Sequence, residues 1–387
     1  MKKALIIFLF IINSIFVTNS YAITRIMLPN GINILYKGDK RATKTEIITL
    51  YSIGAASDPE DMLGLSYIIS NIICNDSYIP SNLKKYNLKI RSYTDRDFIA
   101  CSYTADRDST YDLMLFVYNS IYTPDITIEK KDIIKIYKNK QIYNLDKLYF
   151  QEFYGTDYSK PVLFNKKTLN TILDTDNSFF KNIYYSKYLP KLSVVGIYGH
   201  INKEISIEKL KELYSSLKPR NLNNENTINI NDIGSQKTIK DNGKTITATF
   251  IVPNYMDHLS PSIYVLSKIL DLSGDKYDQY SLLGFNTIYN PFSKGPAILV
   301  LNKSNKETSK NDINELFEIL KTSKVSTIDI NEAKLMALKS LGKYDNILLS
   351  SKRLLISGET STLDQYKKEI KDVTKKDIIL AVKKLVD

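Results

Sequence analysis

Apolar and polar positions follow two rounds of a similar order of strands and helices. In the first round, residues 25–36 predict a β-hairpin in which Asn30-Gly31 supplies the positive φ angles of a tight type I′ turn. Residues 61–75 show helical spacing, with one face formed by Leu63, Tyr67, Ser70, Asn71 and Cys74. Further strands are predicted at 45–53, 88–93, 97–104 and 192–198, and further helices at 109–121, 128–143, 174–188 and 203–217.

A second, shorter round follows a polar, Asn-rich stretch at 219–232, where large apolar side chains are few. It comprises predicted strands at 245–252, 284–289 and 297–301 and predicted helices at 262–272, 311–322 and 330–341. Hairpins and paired helices outnumber strict strand–helix alternation, which indicates an α+β fold. We expect two tandem domains, at 23–219 and 241–387, joined by a linker at 220–240.

The N-terminal 22 residues have the three parts of a secretory signal peptide. Lys2 and Lys3 precede an apolar run at 4–16, and Ser20 and Ala22 are small residues at the positions that a signal peptidase inspects. We therefore expect an exported chain, periplasmic if the source is a Gram-negative bacterium; an uncleaved signal anchor is the alternative. No later stretch reaches the roughly 20 apolar residues of a membrane-spanning helix, so no integral span is expected after cleavage.

Cysteine usage leaves one question open. In an oxidising compartment Cys74 and Cys101 could form a disulfide, or they could remain two separate buried thiols. Two cysteines in 387 residues do not form the framework of a disulfide-rich domain.

The length of the chain agrees with two domains, and its charge pattern argues against binding to nucleic acid. A chain of 387 residues exceeds the usual size of one hydrophobic core, which agrees with two domains. Its 53 basic and 42 acidic residues give a formal charge of +11, and loss of Lys2 and Lys3 leaves 51 against 42, or +9. The lysines are scattered beside acidic residues without interleaved arginines and aromatics, so we expect no nucleic-acid partner.

Several motifs, in order along residues 25–217, resemble the M16 peptidase family, which includes insulinase, pitrilysin and mitochondrial processing peptidase. The segment 28–35 (LPNGINIL) resembles the opening LPNG hairpin of that family, and 53–60 (IGAASDPE) resembles its GSxxDP turn. Gly64-Leu65-Ser66 follows where the zinc helix of the family begins. Residues 153–163 and 192–200 resemble its YGxHPYGRPxLG and LVVVGD segments, whereas in the second half only 282–289 is similar. The resemblance implies two tandem domains, each a mostly antiparallel sheet covered by helices.

The resemblance also implies that the zinc site is degenerate. Active members carry His-x-x-Glu-His on a helix, where two imidazoles one turn apart bind zinc and the Glu activates the metal-bound water. The matching positions here are Tyr67, Ser70 and Asn71. A neutral phenol and an amide do not replace imidazoles, and a serine hydroxyl is not a general base at ordinary pH. The third ligand is a downstream Glu, and residues 131–151 contain none. We expect no catalytic residue, no metal ligand and no cofactor.

The expected function is that of a non-catalytic subunit, which would pair with an active zinc-bearing M16 peptidase and help to enclose an extended peptide substrate. One alternative is an active zinc metalloendopeptidase with an atypical ligand set. The two histidines, His200 and His258, argue against it because neither has a second His at helical spacing to share a zinc ion. Another alternative is a free-standing envelope module that binds peptides.

Overall fold

A computed structural model gives the fold. It describes residues 23–74, 79–122, 124, 126, 128–139, 145–200, 203–217, 237–272, 284–304, 309–322, 327–343, 346–358 and 363–386. The predicted signal peptide at 1–22 and all but the last residues of the predicted linker at 220–240 lie outside these ranges.

The first half forms a six-stranded, mostly antiparallel sheet. Its strands run in the spatial order β1-β2-β6-β3-β5-β4, and only β2 and β6 are parallel. They are β1 (Thr24–Met27), β2 (Asn33–Gly38), β3 (Lys44–Tyr51), β4 (Lys89–Thr94), β5 (Ile99–Asp106) and β6 (Ser193–Gly199). The helices of this half are α1 (Leu65–Ile73), α2 (Ser81–Lys84), α3 (Thr110–Tyr122), α4 (Lys130–Asn139), α5 (Leu145–Glu152), α6 (Lys166–Leu173), α7 (Asn177–Lys187) and α8 (Lys203–Ser215).

The second half has a four-stranded, fully antiparallel sheet in the order β7-β8-β10-β9. The strands are β7 (Lys237–Asp241), β8 (Thr245–Val252), β9 (Asn286–Tyr289) and β10 (Ala297–Ser304). The helices are α9 (Ser260–Leu270), α10 (Lys310–Lys321), α11 (Thr327–Lys343), α12 (Asn346–Ser357), α13 (Leu363–Asp372) and α14 (Lys375–Val386). Strand β7 begins at Lys237, within the stretch assigned to the linker.

Each half supplies one helix that covers the sheet of the other. Helix α12, from the second half, lies on the first sheet, where Ile347 and Leu354 pack against Leu50 and Val194. Helix α5 and the segment after it, from the first half, pack on the second sheet, where Phe153 meets apolar residues of β8 and β10. Because both faces of the central strands are covered, β6 (SVVGIYG) is apolar almost throughout rather than alternating.

The predicted hairpin forms, but its turn is not type I′. Gly31 has φ +89°, whereas Asn30 does not adopt a positive φ, so the two-residue turn predicted at Asn30-Gly31 is wrong. The connection instead spans residues 28–32, and the Gly31 N–H donates to Leu28 O at 2.9 Å. The Asn30 side chain joins this connection to distant residues: its Oδ1 accepts from the Ile32 N–H at 3.2 Å, and its Nδ2 donates to the carbonyl oxygens of Tyr214 and Leu217 at 2.6 and 3.1 Å.

Most predicted elements have a counterpart in the structure, and the α+β class with two sheets covered by helices is confirmed. Helix α1 is shorter than the predicted helix at 61–75. Among the described helices six were not predicted: α2, α5, α6, α12, α13 and α14. Within the described ranges, no helix combines the length and apolar character needed to cross a membrane.

Candidate functional site

Helix α1 carries Tyr67, Ser70 and Asn71, the three positions that the sequence resemblance aligns with the zinc motif, and a buried carboxylate fixes its N-terminus. Asp58 accepts hydrogen bonds from the backbone N–H of Gly64 at 2.9 Å and of Ser66 at 3.0 Å, and from Ser66 Oγ at 2.6 Å. These bonds satisfy N–H groups that the first turn of a helix leaves unpaired. Burial raises the pKa of Asp58 to about 7, although the three hydrogen bonds oppose that rise.

Gly64 allows the chain to approach closely where the helix begins. Its φ is +84°, and a Cβ at this position would lie 2.5 Å from the backbone nitrogen of Phe164. A larger residue would therefore face both an unfavourable backbone conformation and a clash with backbone atoms. The segment around Phe164 is held against α1 as a result.

The Ser70 side chain is fully buried and engaged in hydrogen bonds within the protein. Its Oγ donates to Tyr67 O at 2.9 Å and lies 2.6 Å from Thr94 Oγ1 on strand β4. Asn71 is also occupied, because its Nδ2 donates to Tyr67 O at 2.8 Å and its Oδ1 accepts from Ser92 Oγ at 3.3 Å. At Ser70 and Asn71, which the sequence resemblance aligns with the catalytic Glu and the second His, α1 is therefore tied to β4 by neutral polar contacts.

Aromatic side chains occupy the other side of the motif. The half-buried ring of Tyr67 packs against Phe164 with centroids 6.4 Å apart, and Phe164 packs against Tyr137 of α4 at 5.4 Å. Burial raises the pKa of Tyr67, so its phenol stays protonated at neutral pH. Helix α4 contacts α1 and contains no Glu.

These residues do not fit a zinc ion. The Asn71 amide nitrogen and the Ser70 hydroxyl face partners within the protein, and a protonated phenol is a poor zinc ligand. Within the described part of the chain, no three His, Cys, Asp or Glu side chains form a group that could hold a metal ion. Of the glutamates downstream of α1, Glu129 is exposed and pairs with Lys131 at 2.5 Å, and the Glu152 carboxylate accepts a hydrogen bond from Thr238 Oγ1 of β7 at 2.9 Å.

Neither histidine lies in a cluster of metal ligands. His200 is exposed after strand β6, and its Nδ1 lies 2.8 Å from the carbonyl oxygen of Lys40. The side chain of His258 is 79% exposed, and its Nδ1 lies 3.4 Å from Oδ1 of Asp257. Both histidines therefore lie on the polar surface, away from the α1 motif positions.

The two cysteines form a disulfide beneath α1. Cys74 follows the last turn of the helix and bonds to Cys101 of β5, with a Cα–Cα distance of 5.4 Å. Both side chains are buried in the main core of the first half. Of the two alternatives that the sequence left open, the structure has the paired one, which joins the C-terminal end of α1 to the sheet.

Strand β4 is the edge of the first sheet beside α1. Among the described strands it pairs only with β5, so its outer backbone groups face away from the sheet. Ser92 and Thr94 point to the side where α1 lies, as their bonds to Asn71 and Ser70 show. Tyr93 points to the opposite side, where its hydroxyl lies 3.2 Å from Lys352 Nζ of α12. This edge can accept an additional strand by backbone hydrogen bonding.

A buried polar network joins the two halves just after the C-terminal end of β4. Asp97 accepts hydrogen bonds from Ser293 Oγ at 2.8 Å, from the Lys294 N–H at 2.9 Å and from the hydroxyl of Tyr158. Burial, and secondarily the charge of Asp95, raise the pKa of Asp97. Asp95 itself pairs with Lys352 at 2.9 Å.

Sequence reasoning missed this network. The turn 95–97 joins two predicted strands and has no special spacing, and its partners lie far away in the second half. A run of three charged residues, Asp95, Arg96 and Asp97, between two predicted strands is the one signal that the sequence offered.

Comparisons with known proteins point to one fold. No family model matches the sequence, and no curated protein matches it either. Solved structures do match in three dimensions. A protease from Helicobacter pylori matches with a TM-score of 0.72 at 14% identity, covering 93% of this chain and 95% of that one.

Two other solved structures also match over most of this chain. The inactive domain of a peptidase M16 from Pseudomonas fluorescens matches with a TM-score of 0.72 at 12% identity, covering 94% of this chain and 95% of that one. The first half of the periplasmic protease PqqL from Escherichia coli matches with a TM-score of 0.68 at 10% identity, covering 94% and 89%. The resemblance noted in the sequence motifs is thus confirmed at the level of structure: this chain has the two-domain fold of M16 peptidases.

Proposed function

We propose that this protein is an exported, catalytically inactive M16-like subunit that binds extended peptides beside an active M16 peptidase. The observation that carries the proposal is the state of the motif on α1. Tyr67 and Asn71 stand at the positions of the two zinc-binding imidazoles, and Ser70 stands at the position of the catalytic carboxylate. Ser70 and Asn71 contact β4, and Tyr67 packs on Phe164. The surrounding fold is retained while the groups that would perform hydrolysis are replaced.

Retention of a peptide-binding edge supports the binding part of the proposal. Strand β4 runs directly beside the replaced motif, and its outer edge is open among the described strands. Pairing with an added strand uses backbone groups, so it does not depend on the residues that changed. A chain without hydrolytic groups can therefore still hold an extended peptide at this place.

Similarity to inactive and half-length proteins supports the partner. One structural neighbour is described as the inactive domain of an M16 peptidase, and another as the first half of a periplasmic protease. Each covers nearly all of this chain, which has the size of one such half. We infer that a second two-domain chain encloses the peptide together with this one. The two chains would share an interface of more than about 1,000 Å² in total.

The disulfide supports export. Buried disulfides such as Cys74–Cys101 form and persist in oxidising compartments and are rare in the bacterial cytosol. The N-terminal sequence Lys2-Lys3 followed by an apolar run would direct the chain there. In a Gram-negative source the compartment would be the periplasm.

The test combines metal analysis, hydrolysis and partner recovery from the native envelope fraction. We expect the purified mature chain to contain no stoichiometric zinc, to cleave no unfolded peptide, and to co-purify with an intact His-x-x-Glu-His protein. One tightly held zinc per chain, together with hydrolysis that a chelator abolishes, would instead establish the zinc peptidase. A strict monomer without zinc and without an M16-type partner would favour the free-standing binding module.

A further inference from the structure

The edge strand β4 carries positive charge that no described carboxylate neutralises. Residues 81–94 contain four cations, Lys84, Lys85, Lys89 and Arg91, and no Asp or Glu. All four side chains are exposed, and none forms an ion pair within the described part of the chain. The nearby Lys352 is different, since it is buried and bonded to Asp95 at 2.9 Å.

The register of β4 places two of these cations on one side of the strand. Successive side chains of a strand alternate between its two faces. Ser92 contacts Asn71 of α1 and Tyr93 contacts Lys352 of α12, so Lys89 and Arg91 share the α12 side with Tyr93. Ile90 and Ser92 lie on the α1 side.

We propose that β4 selects an extended acidic segment, one with Asp or Glu at every second position. This inference deepens the proposed function and rests on peptide binding at this edge. In an antiparallel addition, the residues directly opposite Lys89 and Arg91 are themselves two apart, so carboxylates at i and i+2 meet both cations. Opposite charges across neighbouring strands stabilise the pairing, whereas like charges directly opposite weaken it.

The α1 side of the added strand meets a different surface. There the intervening residue of the ligand lies near Ile90, Ser92 and the amide of Asn71, which carry no charge. A small or neutral polar residue suits this side, because a charged one would be partly desolvated without a partner. The selected segment thus alternates acidic and neutral residues.

The experiment uses the mature full-length chain and three dye-labelled peptides of one length, measured by fluorescence anisotropy at low ionic strength. They alternate Thr with Glu, with Gln or with Lys. We expect the Glu peptide to bind roughly five-fold more tightly than the Gln peptide, from two cross-strand charge pairs, and the Lys peptide to bind most weakly. Methylation of alternate backbone nitrogens in the Glu peptide should abolish its binding, because a methylated nitrogen cannot donate to the strand edge.

Charge reversal tests the two cations directly. The double variant Lys89→Glu/Arg91→Glu should invert the order, so that the Lys peptide binds best. The control Lys383→Glu/Lys384→Glu changes two exposed lysines at the end of α14, gives the same net charge and should keep the original order.

Four results would overturn the inference. Equal binding of the three peptides, or an order unchanged by the β4 reversal, removes the charge selection but leaves peptide binding in place. Full binding of the methylated peptide shows that the contact is not strand pairing. No binding of any peptide removes the inference together with the proposed peptide-binding function.

Discussion

The Oγ of Ser293, in the second half of the chain, donates a hydrogen bond of 2.8 Å to Oδ2 of Asp97, in the first half. The neighbouring Gly295 packs so closely on Tyr158 that a Cβ would lie 2.2 Å from the ring. Tyr158 in turn donates to Asp97, so one carboxylate receives bonds from both halves. This contact holds the turn between β9 and β10 against the turn between β4 and β5.

Removal of that carboxylate should destabilise the fold. Asp97→Ala leaves the hydroxyls of Tyr158 and Ser293 and the N–H of Lys294 buried without their acceptor, and each unsatisfied group costs about 1–3 kcal/mol. We expect the free energy of unfolding, measured by urea titration, to fall by at least about 3 kcal/mol. The control Asp108→Ala removes a carboxylate that is 79% exposed and should change stability little. Equal midpoints for the two variants would contradict the role given to Asp97.

Asp58 predicts a pH dependence of stability. Its pKa is raised to about 7 in the folded protein, against about 3.9 for an unperturbed Asp in the unfolded chain. Between these values the folded state holds a proton that the unfolded state has lost, so the free energy of unfolding falls as pH rises from about 4 to about 7. The Asp58→Asn variant should show a shallower fall over this range in urea titrations. Asp61→Asn, at a neighbouring exposed carboxylate, should keep the wild-type slope.

The disulfide should stabilise α1 against the sheet. Cys74 and Cys101 are 27 residues apart, and closing a loop of this size typically contributes about 2–4 kcal/mol. We expect the double variant Cys74→Ala/Cys101→Ala to melt at a lower temperature than the oxidised wild type, as measured by circular dichroism. A reductant should lower the melting temperature of the wild type and leave that of the double variant unchanged. If the reductant also lowered the melting temperature of the double variant, its effect would not come from the Cys74–Cys101 bond.

The contact between α12 and the first sheet predicts a coupled pair of substitutions. A Cβ at Gly196 would lie 2.7 Å from Ile347 Cγ1, so Gly196→Ala should overpack this contact and cost about 1–3 kcal/mol. Ile347→Ala removes Cγ1, the atom nearest that Cβ, and should cost about 2–5 kcal/mol alone. Together they should cost less than the sum, because residues in contact couple. Strict additivity in urea titrations would mean that α12 does not rest on β6 at Gly196.

Rebuilding the helix portion of the zinc motif should give weak metal binding. Tyr67→His, Ser70→Glu and Asn71→His restore two imidazoles and the carboxylate, but α4 still offers no Glu as third ligand. Ser70 is also fully buried against Thr94, so a longer acidic side chain should lower stability. We expect detectable zinc binding by titration calorimetry with little hydrolysis of unfolded peptides. Full activity from these three changes would reveal a third ligand elsewhere.

The sequence by itself determined the described strands other than β7, eight of the described helices and the residues at the α1 motif positions. These features are local: a period of two or of about 3.6 residues records which side of an element is buried, and residue identity at positions 67, 70 and 71 is read directly. The order of elements and the motifs together were enough to indicate the fold that the structural neighbours share.

Only the tertiary structure decided what each element packs against. Helix α12 covers the sheet of the other half, the Asn30 side chain bonds to distant carbonyls instead of forming a type I′ turn, and Cys74 meets Cys101. Asp97 became a link between halves through residues almost 200 positions away. Such contacts depend on the arrangement of whole elements in space, and a local pattern of apolar residues states that a surface is buried without stating which partner buries it.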